Sequence, residues 1–183
     1  MFSEEYRKRF RPDASFRPQP GFRPIPEAMQ RGTPKRIELI ARGLAMRDGS
    51  VLLCRSVSGG YAYLPGGHVE PGEASEDALV REFMEEAGLV VAAGPLLLAA
   101  EARFTQAGRP RHELTLVFHV EPTAADGWPS GVVSHEADIS FAWIAMSRVQ
   151  KEGVLPACIR DWLAGYDARN EGAGACAWRS SRE

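Results

Sequence analysis

The residue pattern predicts an α/β domain, a mixed β-sheet sandwiched between α-helices, and three observations carry that prediction. Short apolar runs rich in Val, Ile, Leu and aromatic residues recur between residues 37 and 144, each bounded by Gly, Pro, Asp or Ser; this is how strands punctuate a sequence. Among them, residues 74–87 repeat apolar side chains at helical spacing and end at Gly88, where a left-handed C-terminal residue is wanted. A second helix is signalled by Leu155-Pro156 and closed by Gly165.

In chain order, Ile37 to Met46 reads as a strand, and Asp48-Gly49 is the dipeptide of a tight hairpin leading into Val51 to Arg55. Tyr61 to Leu64 is a short third run. The first helix spans about Ala74 to Ala87, with Val80, Phe83 and Ala87 forming its inward face. Strands are then expected at Leu96 to Thr105, Leu114 to Val120 and Phe141 to Ile144, and the terminal helix turns Ile159 and Trp162 inward. The boundaries that follow are an arm over 1–36, a domain over 37–166 and a disordered tail over 167–183, in which Trp178 is the residue able to dock.

Composition sets limits on function. The 183 residues, 44% hydrophobic and 25% charged, are enough chain for one domain with its own core. The apolar stretch around Leu96 to Ala100 is far short of the roughly 20 residues that span a membrane. Cys54, Cys158 and Cys176 have no metal-ligand spacing, and an odd count without a signal peptide argues for reduced thiols in the cytoplasm.

Chemistry is concentrated in the first helix and the glycine turns before it. Glu82, Glu85 and Glu86 stand at i, i+3 and i+4, within one arc of about 100° on a helix. Like charges so placed repel, and a divalent cation is the simplest group that offsets them. Arg81 neighbours Glu82 and lies four residues before Glu85, so it orients that carboxylate without being a ligand. Clustered glutamates alone usually mean a solvated acidic face, but Pro65-Gly66-Gly67 and Pro71-Gly72 add two sharp turns that bring backbone groups close to the carboxylates.

The stretch from Gly67 to Glu73, with Arg81 to Leu89, resembles the Nudix box, G-x5-E-x7-R-E-U-x-E-E-x-G-U, where U is a bulky aliphatic residue. All seven fixed positions match, and Phe83 at the first aliphatic position keeps its core-facing character. The resemblance implies a Nudix fold and a MutT-like hydrolase of diphosphate linkages that uses Mg2+ or Mn2+. It also implies roles: Glu82, Glu85 and Glu86 as metal ligands, with the Gly66 and Gly67 backbone completing the shell, and Glu73 and Arg81 supporting the loop–helix geometry. The proton of the attacking water goes to Glu82 or to a loop carboxylate outside the box. Two segments offer such a carboxylate: Ser134 to Asp138, with Glu136 or Asp138, and His112-Glu113 at a strand start. Glu136 is preferred for its position before the tryptophan-bearing strand.

Substrate contacts are less marked. Arg55, Arg103 and Arg111, with Arg109, are candidate phosphate clamps, because guanidinium matches phosphate geometry, and Phe104, Tyr61 or Trp128 are candidates to stack on a base. His68 is read as exposed and non-ligating. The chain lacks the arginine spacing of coenzyme A diphosphatases and the downstream markers of ADP-ribose or dinucleoside polyphosphate enzymes. The favoured substrate is a nucleoside diphosphate linked to another group, of ADP-ribose or nucleotide-sugar type. The alternatives are a nucleoside triphosphate pyrophosphohydrolase and a non-enzymatic nucleotide- or RNA-binding module, against which the intact carboxylate set argues. An isomerase on the same fold would need a cysteine facing the metal, a context that Cys54 does not resemble.

The arm has its own character. Phe10-Arg11-Pro12, Phe16-Arg17-Pro18 and Phe22-Arg23-Pro24 repeat every six residues, and residues 1–36 hold nine Lys/Arg against four Asp/Glu, whereas 37–183 hold thirteen against twenty. Arginine alternating with aromatic rings suits single-stranded nucleic acid. An extended segment packing on the body or across a homodimer, or a free basic tail, suits proline-rich bias better and is preferred.

Overall fold

The computed structural model describes residues 36–106, 108–166 and 176–182. The Phe-Arg-Pro arm lies outside them. Eight strands form one mixed sheet: β1 (Glu38–Arg47), β2 (Ser50–Ser56), β3 (Ala62–Tyr63), β4 (Gly66–His68), β5 (Val91–Gln106), β6 (Arg109–Pro122), β7 (Ile139–Ala145) and β8 (Ala177–Arg182). The order runs β3-β2-β1-β6-β5-β8, with β4 added to β1 and β7 to β2. The β1–β6 and β5–β8 pairs are parallel and the other pairs antiparallel.

Helix α1 (Ser75–Ala87) packs on one face of the sheet, over Ala41, Ala45, Leu52, Phe118 and Val120. Helix α2 (Ala157–Ala164) lies with the cluster of Leu44, Leu53, Leu98 and Val117 on the other. Leu44 and Ala45 are neighbours on β1 and point to opposite cores, as strand alternation requires. Ile159 and Trp162 face inward as expected. On α1 the buried stripe is Ala78, Leu79, Phe83, Glu86 and Ala87, and Val80 is only half-buried.

Phe83 anchors α1. It is 1% exposed, and its ring occupies the space a Cβ on Gly43 would need, 2.6 Å from Cε2. Phe83→Ala is expected to cost about 3–5 kcal/mol of stability, measured as a lowered urea midpoint at unchanged slope. The helix ends at Gly88, φ 65°, whose N–H donates to the Met84 carbonyl at 2.9 Å while that of Leu89 reaches the Phe83 carbonyl at 3.2 Å.

β6 begins at Arg109 rather than Leu114, which places Glu113 within the strand instead of at its start, and three further elements differ from expectation. β5 begins at Val91 rather than Leu96, because bulges between Ala93 and Leu98 take Gly94 and Pro95 out of register and let pairing resume. Pro65-Gly66-Gly67, read as a turn, runs into β4, where Ile40, Ala41 and Arg42 pair with His68, Gly67 and Gly66. Within the expected tail, Ala177–Arg182 forms β8, parallel to β5 from Leu98 to Arg103, satisfying backbone groups that β5 would otherwise leave open. Trp178 does not dock; it is 56% exposed. Among the described residues no helix is long and apolar enough to cross a membrane.

Candidate active site

Packing of Phe83 and Leu79 sets the rotation of α1 and therefore ranks its carboxylates by depth. Glu86 sits at the edge of the buried stripe and is 7% exposed, whereas the side chains of Glu82 and Glu85 are 16% and 56% exposed. The acidic arc runs from core to solvent.

Arg81 ties that arc to the preceding loop. Its Nε and Nη2 donate to the two oxygens of Glu73 at 2.9 and 3.0 Å, Nη2 also to the His68 carbonyl at 3.1 Å, and Nη1 to Glu82 at 2.9 Å and Glu85 at 3.1 Å. The Glu73 bond foremost pushes the arginine's pKa up, and the same bond holds the Glu73 carboxyl below its ordinary range. Glu73 accepts the Glu70 N–H as well, at 3.1 Å. This two-pronged pair braces the loop–helix junction.

The two glycines bring backbone against the carboxylates. The Gly66 N–H donates to Glu86 Oε2 at 3.4 Å, and a Cβ on Gly67 would lie 2.4 Å from the Glu82 carboxylate carbon. No side chain fits there. Burial pushes the Glu86 carboxyl up to about 7, opposed by Arg42 and the Gly66 bond and reinforced by Glu82 and Glu136. Buried carboxylates beside backbone are oxygen donors of the kind that suit a hard divalent cation, and the missing Cβ at Gly67 keeps the space open. Among the described residues no three His, Cys, Asp or Glu side chains form a ready-made cage.

Loop residues before β7 close the same end. The His135 N–H donates to the Glu86 carbonyl at 2.8 Å, and its ring lies where a Cβ on Gly88 would come within 2.6 Å. Ser134 Oγ accepts the Glu136 N–H at 3.0 Å and donates to the Glu136 carbonyl at 2.9 Å. Glu136 is thus held, exposed, within electrostatic reach of Glu86.

Beside this end lies a cavity of about 540 Å³ whose walls include Arg42, Tyr61, Tyr63, Phe104, Arg111 and Glu113. Arg42 adjoins both regions: it donates to the Gly66 carbonyl, and its guanidinium carbon lies 4.7 Å from the Tyr63 ring centroid. Burial raises the Glu113 carboxyl, against the pull of Arg42 and Arg111. Burial also pushes the Cys54 thiol, bonded to Tyr63, up to about 11. Burial thus favours the protonated form of the Cys54 thiol.

A sequence model of the NUDIX domain matches residues 38–164. The chain belongs to the Nudix hydrolase family. It is similar to the nucleoside triphosphatase NudI of Escherichia fergusonii, 52% identical over 50 residues that make up 25% of this chain and 36% of that protein. The chain thus spans about a third of that curated relative. Among solved structures it is similar in fold to a MutT protein from Methanosarcina mazei Go1, with TM-score 0.58, 24% identity, and coverage of 75% of this chain and 97% of that one. A MutT protein from Bacillus halodurans gives TM-score 0.60 at 16% identity, covering 79% of this chain and 89% of that one.

In this Nudix fold, Gly66, Gly67, Glu73, Arg81, Glu82, Glu85 and Glu86 gather at one end of the sheet, and Glu136 adjoins them. Of the other base candidates, Glu113 lies on the cavity wall and Asp138 is exposed, its backbone carbonyl accepting the Val57 N–H at 2.9 Å. Of the arginine clamp, only Arg111 lines the cavity. Arg55 is ion-paired with Glu152, and Arg103 is paired in register with His112, on the face opposite Phe104 and Arg111. Phe104 and Tyr61 line the cavity, whereas Trp128 packs edge-on against Trp143 at 5.7 Å. His68 is exposed and 3.1 Å from Glu38. Sequence reasoning missed Arg42 and Tyr63. The signal for Arg42 was available: a lone arginine amid the apolar Leu39 to Ala45 of a central strand.

Proposed function

We propose that this protein hydrolyses the diphosphate linkage of a nucleoside diphosphate joined to another group, ADP-ribose or a nucleotide sugar being the favoured type. The observation that carries this reading is the buried Glu86 and the adjacent Glu82, pressed against Gly66 and Gly67, beside a cavity with aromatic and cationic walls. Its volume lies within the range of about 300–1,000 Å³ usual for small-molecule sites.

Glu82, Glu85, Glu86 and the Gly66 and Gly67 backbone are the groups that would hold Mg2+ or Mn2+. When bound, such a cation neutralises phosphoryl charge and lowers the pKa of a water in its shell. Glu136, on its Ser134-braced loop, takes the proton from the attacking water; Glu82 is the alternative base. Water attacks one phosphorus, the bridging oxygen leaves on the other, and two phosphate monoesters result. Arg81 and Glu73 keep the loop and helix in register. An odd count of three cysteines supports a reducing, cytoplasmic setting.

The likeness to nucleoside triphosphatase NudI favours a second reading, pyrophosphohydrolysis of a nucleoside triphosphate. Release of phosphate or nucleotide from ADP-ribose, nucleotide sugars, dinucleoside polyphosphates and nucleoside triphosphates, with magnesium, manganese or chelator, decides between them. Metal-dependent turnover of one class is the expected result. Binding without turnover across the panel would replace the hydrolase with a nucleotide-binding module.

A further inference from the structure

Arg42 occupies an unusual position for a cation. It lies on β1, half-buried, and projects from the same strand face as Glu38 and Ile40. Its guanidinium stacks on Tyr63 and spends one N–H on the Gly66 carbonyl. It lies within electrostatic reach of Glu86 on the carboxylate side and Glu113 on the cavity side. Yet it is hydrogen-bonded to neither, and a guanidinium has about five N–H donors. Among the described residues no second acceptor is seen for it.

The strand supplies a length. Glu38 pairs in register with Glu113, and four residues of extended chain separate it from Arg42, about 13 Å at the usual rise. The far end of the cavity is set by Arg111, whose Nη2 donates to Glu38 at 2.5 Å, and by Phe104 opposite it in register. The cavity of about 540 Å³, lined by both Arg42 and Phe104, has room for a nucleoside.

We propose that Arg42 seats the phosphoryl group that stays with the half of the substrate held in the cavity, so that the diphosphate is divided between Arg42 and the α1 carboxylates. This inference rests on the hydrolase reading and assigns its substrate orientation. Tyr63 and the Gly66 carbonyl preset the guanidinium, so little side-chain freedom is lost when phosphate arrives. The monoester remaining in the cavity after cleavage is the product bound through Arg42.

The test is calorimetric binding of the four nucleoside 5′-monophosphates and their parent nucleosides, in chelator, to the full chain. At least one monophosphate is expected to bind about tenfold or more tightly than its nucleoside, the usual worth of a charge-assisted bond. Arg42→Met is expected to erase that margin. Arg42→Lys, which keeps charge but not the fork, should retain part of it and carries the test if the methionine variant melts early. Arg148→Met, outside the cavity, should leave the margin intact. A margin unchanged in both Arg42 variants, or absent from the wild type, overturns the proposal. Turnover of the substrate panel reports separately. A margin that depends on Arg42 without turnover removes the hydrolase and keeps the seat, whereas turnover with an Arg42-independent margin removes the seat and keeps the hydrolase.

Discussion

Glu86→Gln is expected to abolish most turnover and at the same time to make the metal-free protein more stable above neutral pH. The two effects share one cause. Burial first, then the neighbouring Glu82 and Glu136, raise the Glu86 carboxyl from its ordinary 4.5 to about 7 in the folded protein. Between these values the folded chain keeps a proton that the unfolded chain has lost. Stability therefore falls as pH rises from about 4.5 to 7 and levels off beyond, by at most about 3 kcal/mol for a shift of that size. Glutamine carries no such charge, so the melting temperature of the variant in chelator should lose this slope. Magnesium should raise the wild-type melting temperature at pH 8 and raise that of the variant much less. Loss of a metal carboxylate should lower kcat by about 10³-fold, or roughly 4 kcal/mol of barrier. Identical pH–stability curves for the two proteins would contradict the uncompensated carboxylate, and a loss of only a few-fold in kcat would contradict the metal assignment.

Gly66→Ala and Gly67→Ala are expected to fail in different ways, although the residues are adjacent. At Gly66 the backbone φ is +118°, and a Cβ would lie 2.3 Å from the Ala41 carbonyl oxygen, on a strand residue with no exposure. Backbone of a central strand cannot yield, so strain and overlap together should cost about 3 kcal/mol or more. At Gly67 the obstructed atoms are the Glu82 carboxylate, 2.4 to 2.6 Å from the new Cβ. A side-chain end can swing aside. Gly67→Ala should therefore fold with a nearly unchanged urea midpoint while losing about 10²-fold in kcat, the usual result of displacing a catalytic group by an ångström. Equal melting of the two variants would show that the fork of β1 between β4 and β2 tolerates a side chain at Gly66.

How far this protein can be read from its residues depends on the range of the interaction concerned. The Glu82, Glu85 and Glu86 arc, Arg81 beside Glu85, the Gly88 cap and the Asp48-Gly49 hairpin were all legible, because each is decided within a helical turn or a two-residue loop. Helical periodicity also placed Phe83 in the core. Depth along the acidic arc was not legible: that Glu86 is buried and Glu85 exposed follows from how α1 rotates when Phe83 settles over Gly43, a contact forty residues apart in the chain. The same holds for the two strands read as turn and tail. Gly66–His68 and Ala177–Arg182 have little strand character of their own, and pair because β1 and β5 offer them open edges.

The arginines show the division most clearly. Guanidinium chemistry drew attention to Arg55, Arg103 and Arg111 as phosphate clamps, but strand alternation and the Arg55–Glu152 ion pair leave only Arg111 of these at the cavity. Arg42 is marked in the sequence only as a lone arginine in an apolar run, and it is the pairing of β1 with β4 that brings its guanidinium to Gly66, Tyr63 and the carboxylate helix. Residues alone pointed to the family, as the NUDIX domain match over residues 38–164 bears out, since the box rests on short-range spacing. Which arginine lies between the carboxylate helix and the cavity was left to the tertiary structure, because strands distant in sequence share a face only once the sheet has formed.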